Sequence, residues 1–270
     1  MFTRTTGFLI VPLWMLAMSW VVAHDVWPGF TALPSPPLKL SEGLIRTGLK
    51  SRFSILADGG AMGTVWSQYN VDPRSVTRED LIWIDRLPAP ITPLRINVYS
   101  VFTAEGTLDE VTVRVQNPDV DLRLHGERFH SDFSFTLEGG AVEKTFKVPL
   151  TDGDFLGGAF HPFSAMTDLR VGQRWRMQGL NPIAWVTGVG RRFLPMLIEV
   201  TGEERITTAT GDHNCLVVES SDAKAWVDAE GTVWVQEVKL PMLGRLRIQR
   251  EAEFDEPLRH RTRNRSFHAP

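Results

Sequence analysis

Between Ala223 and Gln236 two short runs rich in β-branched and aromatic residues, Ala-Lys-Ala-Trp-Val and Thr-Val-Trp-Val-Gln, flank the string Asp228-Ala-Glu-Gly231. Runs of that composition around a glycine corner fold as a β-hairpin, with Gly231 supplying the positive φ the corner needs. A three-residue loop sets Trp226 opposite Trp234, and a two-residue loop sets it opposite Val235. Either way large apolar surfaces meet across the pair. A chain made of such units has to fold as antiparallel β structure, and units of this kind fill most of the sequence.

Strand-like runs cover 48–57, 62–71, 81–84, 94–102, 108–116, 121–127, 133–137 and 142–148 in the first half. The second half, organised around Leu169 to Glu251, has them at 173–180, 196–208, 214–220, in the 223–236 hairpin and at 244–254. Leu94, Ile96 and Val98 alternate with Arg95, Asn97 and Tyr99, while Val111, Val113 and Val115 alternate with Thr112, Arg114 and Gln116. Each such strand has one dry and one wet face. A two-residue turn at Glu105-Gly106 pairs Val98 with Val113 and Ile96 with Val115, so the dry faces coincide. A looser loop sets Ile96 against Arg114 unless a bulge at Ser100 corrects the phase.

Gly59-Gly60 and Gly139-Gly140 read as further corners. Ala-Glu-Gly-Thr occurs at both 104–107 and 229–232, which shared turn chemistry explains more economically than internal duplication. The fold class expected is mostly β: an antiparallel meander forming a sandwich or a strongly curved sheet, plus one N-terminal apolar helix. Meanders of this kind have to close, pack in pairs or be covered, because open edges invite aggregation.

That helix comes from Gly7 to Ala23, seventeen residues without a charge, preceded by Arg4 and followed by His24-Asp25. The positive charge on the N-terminal side keeps that end in the cytoplasm and sends the remainder across the membrane. An uncleaved single-pass anchor and a cleaved signal peptide both fit, since the run is long for a signal h-region and short for a span. The expected address is the cytoplasmic membrane with the bulk of the chain extracytoplasmic, or the periplasm or exterior if the leader is removed. The chain divides into a leader at 1–30, a Pro-rich linker at 31–46, a β domain at 47–254 with a seam between two halves at 151–168, and a basic tail at 255–270 with no apolar run to order it.

A net charge of −3 and a pI near 6.2 argue against nucleic acid as a partner, which needs a basic face. The lone Cys215 lies in Cys-Leu-Val-Val and reads as a small core side chain rather than a nucleophile. His125 and His130 are five apart, on opposite faces of a strand or either side of a Gly126-Glu127 corner, which gives no metal site. His213 follows the turn-like Gly211-Asp212. Asp152-Gly153-Asp154 begins like a calcium loop but has Phe163 at the twelfth position, and Gly188-Val-Gly190 lacks the third glycine of a phosphate loop. No cofactor and no metal are expected, and a non-enzymatic module is the first reading. A hydrolase using carboxylates near Asp152 to Asp168 is an alternative, and a purely structural spacer is another.

The candidate ligand-binding residues are Trp66, Trp83, Trp175, Trp185, Trp226 and Trp234, six large rings in a sequence already rich in aliphatic residues. They pack a core, or they line a concave face that holds a lipid, another apolar ligand or an envelope partner protein; the sequence is compatible with both.

The second half also carries a resemblance. Leu169-Arg-Val-Gly-Gln-Arg-Trp175, Asn181-Pro182, Val200-Thr-Gly-Glu203, Cys215-Leu-Val-Val-Glu219, Ala225-Trp-Val-Asp-Ala-Glu-Gly-Thr-Val233 and Arg250-Glu251 resemble bacterial envelope proteins of unknown function. They are similar both to the β domain preceding transglutaminase-like domains in membrane-anchored proteins and to periplasmic β proteins with a lipoprotein-carrier-like curved sheet. The resemblance implies an accessory envelope module and brings no catalytic residue with it.

Overall fold

The structure, a computed structural model, describes residues 50–86, 93–104, 107–130, 132–140, 142–149, 156–157, 168–180, 193–240 and 244–252. The expected leader helix, Pro-rich linker and basic tail lie outside these residues, as do Trp185, Asp152-Gly153-Asp154 and Gly188-Val-Gly190. Every described element is a strand. Among the described residues no helix is long and apolar enough to cross a membrane.

The first half supplies β1 (Lys50–Ala57), β2 (Gly60–Val71), β3 (Ser75–Ile84), β4 (Leu94–Thr103) and β5 (Leu108–Gln116). It continues with β6 (Asp121–Phe129), β7 (Asp132–Gly139) and β8 (Val142–Pro149). The second half begins with β9 (Leu156–Gly157), β10 (Arg174–Leu180), β11 (Phe193–Thr208) and β12 (Gly211–Glu219). It ends with β13 (Ala223–Val227), β14 (Val233–Leu240) and β15 (Gly244–Arg250). All fifteen belong to one sheet, in the order β8 to β1 and then β15 to β9. Each ladder is antiparallel except the short β9–β10 contact. The two halves join where β1 pairs β15, with Phe53 opposite Arg250 and Ile55 opposite Ile248.

This order bends the sheet round until its two edge strands approach each other. The two edge strands β8 and β9 are neighbours in sequence, Pro149 and Leu156 being seven residues apart, a gap that a chain spans over at most about 25 Å. Laid flat, fifteen strands would hold their edges about 65 Å apart. The meander therefore runs round a ring, with its break between β8 and β9. A round cylinder of so many strands would leave a water-filled lumen. Here the inward residues Phe133, Phe135, Ile55, Ile84, Ile198, Leu246 and Ile248 are fully buried, so the interior is filled. The inner-face core is one continuous cluster, drawing buried residues from β1 through β7 and from β10 through β15.

Turn chemistry sets the registers. Asp58 and Gly59, both at positive φ, form the two-residue corner between β1 and β2, one residue earlier than the Gly59-Gly60 read from sequence. Val98 faces Val113 and Ile96 faces Val115, as the dry faces require. They get there by the looser route: Thr103 N–H donates to the Thr107 carbonyl, Phe102 pairs Leu108, and a bulge at Asp109 restores the phase, on β5 and not at Ser100. In the 223–236 hairpin Trp226 faces Val235, again through a bulge, because Val227 pairs Val233. The loop is closed by Asp228, whose carboxylate accepts from the Glu230, Thr232 and Trp234 Nε1 N–H groups.

One sequence expectation changes, since β3 begins at Ser75 and not at Leu81, and of the two readings of Gly126-Glu127 the strand holds and the corner does not, because β6 continues to Phe129. Gly126 is glycine for another reason: a Cβ there would sit 2.6 Å from the Phe135 ring and 2.7 Å from the Phe133 ring, both fully buried.

Candidate functional site

Register and packing partners place each described tryptophan on a face, Trp234 sharing the side of its neighbour Val235 because it is the bulged residue. Trp175, opposite Ile198, points into the inner core and is 1% exposed. Its Nε1 has no hydrogen-bond partner among the described residues. Trp226 and Trp234 lie on the opposite face of β13 and β14, in a smaller cluster with Ile206, Cys215, Val217 and Val235. Trp226 Nε1 donates to Glu204 at 2.8 Å, and the Lys224 ammonium and Arg247 guanidinium lie 4.8 and 5.8 Å from its ring centroid. The Trp234 ring stacks on His213 with centroids 3.6 Å apart. Trp66 and Trp83 form the third group, on the outer face of β2 and β3, with centroids 6.5 Å apart and planes tilted by 53°. The described rings thus occupy three separate places.

The Trp66–Trp83 pair is the one open to solvent. Trp83 is 39% exposed, although the inner face already supplies a complete core. Thr64 on β2 and Arg95 on β4 are its direct cross-strand partners, and register puts Trp66 and Asn97 on the diagonals. Two guanidinium groups flank the rings: Arg52 at 5.9 Å from the Trp66 centroid and Arg95 at 6.0 Å from the Trp83 centroid, both near the outer limit of cation–π contact. Arg52 is also neutralised, its Nε lying 3.0 Å from Glu251, which in turn accepts from the Ser54 hydroxyl. Arg95 has no acidic partner among the described residues, and its buried Nε has no acceptor there.

The inner face holds a different feature that the sequence reading missed. Arg78 and Asp80, two residues apart on β3, point inward and are 5% and 7% exposed. Arg78 Nε lies 2.8 Å from Asp80 Oδ2, the Ser67 hydroxyl donates to the other Asp80 oxygen, and the guanidinium sits 5.4 Å from the Tyr69 ring centroid. Burial disfavours the Arg78 charge, but Asp80 and Tyr69 more than compensate and raise its pKa. On β15 Arg250 is pulled below its usual range by burial, with Asp228 and Tyr69 acting against that pull. The sequence signal was there: Val76, Arg78, Asp80, Ile82 and Ile84 share one parity.

Among the described residues, the cysteine and histidines singled out from the sequence make contacts within the sheet, whereas Asp152 and Asp154 lie outside those residues. Burial first, then Asp228 and Glu204, push the Cys215 thiol up to about 12, so it is protonated at neutral pH. His125 bridges Thr112 at 3.0 Å and Glu127 at 2.9 Å on the outer face of β5 and β6, and His213 meets the Thr210 hydroxyl at 2.9 Å. His130 takes a positive φ in the β6–β7 turn. Glu204 serves Trp226. No group of three or more His, Cys, Asp or Glu able to hold a metal occurs among the described residues.

No protein-family model matches the chain, and no curated protein matches it. Among solved structures it is similar to the crystal structure of a β-barrel-like protein of a domain of unknown function, DUF1849, from Brucella abortus. The identity is 8% and the TM-score 0.44, over 75% of this chain and 94% of that one. The likeness to envelope proteins noted in the second half rests on the sequence strings themselves.

Proposed function

We propose that this chain is a binding module on the outer side of the cytoplasmic membrane, delivered there by its apolar leader, with the outer face of β1–β4 as its recognition surface. The observation that carries the reading is the Trp66–Trp83 pair. A sheet with its core on one face normally turns polar side chains to water on the other, and exposed aromatic residues in a polar surround mark surfaces that meet something else. Trp83 keeps 39% of its surface exposed there, held between Thr64 and Arg95. The reading favours recognition over catalysis because, among the described groups, Cys215 is buried and protonated and His125, His213 and Glu204 each bond to neighbours within the sheet. The bilayer enters as the anchor's partner, and an envelope component as the ligand.

The test is co-sedimentation of the full-length chain, in detergent, with isolated cell envelopes. Wild type is expected to sediment with them and the Trp66→Ala/Trp83→Ala double variant to remain in the supernatant. Equal sedimentation of both proteins would remove the outer face as the recognition surface.

A further inference from the structure

The chemistry around Trp83 narrows the ligand. The ring is open to solvent and borders a second ring tilted by 53°, giving a shallow two-walled seat and not a flat plate. Its surround on the same face is hydrogen-bonding, with Thr64 across β2 and Asn97 on the β4 diagonal, while Gln68 and the acid Glu79 opposite it lie four positions further along the strands. Leu81, between Trp66 and Asn97, is the one aliphatic side chain in that ring of neighbours. An acyl chain would gain little from such a surface, because its binding grows with continuous apolar area. A sugar ring suits it, with one C–H face for an indole and hydroxyl groups for amide and hydroxyl side chains.

The charge is specific too. Arg52 is matched by Glu251, whereas Arg95 has no acidic partner among the described residues, and Asp85, the outward-facing acid at the end of β3, makes no ion pair with it. The Arg95 Nε is itself buried, but the residue is half-exposed beside the Trp83 ring and has no acidic partner among the described residues, so its terminal amino groups are the donors a planar anion would meet. A carboxylate can accept two N–H donors from them in parallel.

We propose that this face binds an acidic glycan, with a pyranose ring on Trp83, Trp66 as the second wall, and the sugar's carboxylate on Arg95. The inference rests on the reading of the outer face as the recognition surface. It requires no covalent step.

The experiment is a titration of the full-length chain in detergent micelles by calorimetry, with tetragalacturonate as the acidic probe, cellotetraose as the neutral one and short-chain phosphatidylglycerol as the lipid one. Tetragalacturonate is expected to bind saturably and more tightly than cellotetraose. Arg95→Gln should weaken the acidic probe by ~10-fold or more, the scale of one charged hydrogen bond, and leave the neutral one unchanged. Trp83→Ala should abolish both and Trp83→Phe retain part of each, with thermal melts verifying that each variant folds. Equal affinity for the two saccharides, or an acidic probe indifferent to Arg95→Gln, overturns the proposal. Trp83-dependent binding of phosphatidylglycerol with no saccharide binding overturns the glycan and leaves the recognition face standing. Binding of none of the three, together with envelopes that fail to retain the chain, removes both.

Discussion

Replacing Asp80 by asparagine tests the interior of the sheet at its most polar point. The Arg78 and Asp80 side chains are 6% and 9% exposed and 2.8 Å apart, so their contact is scarcely screened by water. The amide would keep the volume and a hydrogen bond for Ser67, which faces it across β2–β3, but would leave the Arg78 charge without its acid. Removing one member of a buried pair costs about 3–5 kcal/mol, since the remaining charge stays desolvated. With a urea m-value of about 2–3 kcal/mol/M for a protein of this size, the unfolding midpoint should fall by ~1–2 M, read by circular dichroism. The double variant Arg78→Met/Asp80→Leu should recover most of the loss, because two apolar side chains of similar bulk avoid the desolvation of both ions. A fall below ~1 kcal/mol for Asp80→Asn, or a double variant no better than the single one, would refute the burial and the coupling together.

Three further outcomes follow from the same structure. Cys215 should resist alkylation at pH 8 in the folded chain and react at once in urea; the sign of its pH effect is set by a folded pKa of about 12, raised chiefly by burial. The unfolded thiol ionises nearer 8.5 and so binds fewer protons above that pH, and its contribution to stability, present below about 8.5, should be lost as pH rises toward about 12, a dependence absent in Cys215→Ala. Gly126→Ala should cost about 1–3 kcal/mol in thermal or urea unfolding, since two fully buried phenylalanine rings stand in the way of the new Cβ, and Phe135→Leu in the same background should relieve part of it. Protonating Asp121 should weaken its two hydrogen bonds with Arg114 on the outer face of β5–β6. Those bonds lower its pKa, so their support is present at neutral pH and fades as pH falls below the usual carboxylate range, a change that NMR of the Arg114 side chain would follow.

The sequence yielded the strands wherever side chains alternate cleanly. β5 starts at Leu108 and ends at Gln116, as its three valines and their polar partners predict. It failed where function or packing breaks the alternation. The first six residues of β3 were missed because two of their inward positions carry Arg78 and Asp80, and polar residues at core parity look like a loop. Gly126 left strand and corner both open because a glycine's reason, here the two phenylalanine rings of β7, lies on another strand. The bulges at Asp109 and in the Trp226–Trp234 hairpin leave no local signature, yet they decide which residues meet. The curved sheet depends on β1 meeting β15, a pairing of residues nearly two hundred positions apart that no local pattern announces. The tryptophans could be counted from sequence, but which face each occupies depends on register. Arg52 and Arg95 became part of the candidate site only once they were opposite Trp66 and Trp83.

The partition of tryptophans between faces underlies the whole functional reading, and oxidative footprinting with mass spectrometry measures it directly. Among the described tryptophans of the native chain Trp83 should be oxidised fastest and Trp66 more slowly, while Trp175, 1% exposed in the inner core, should be protected until the sheet unfolds. Oxidation of Trp175 at a rate comparable to that of Trp83 would contradict it, because the two rings would then not be on opposite sides of one curved sheet.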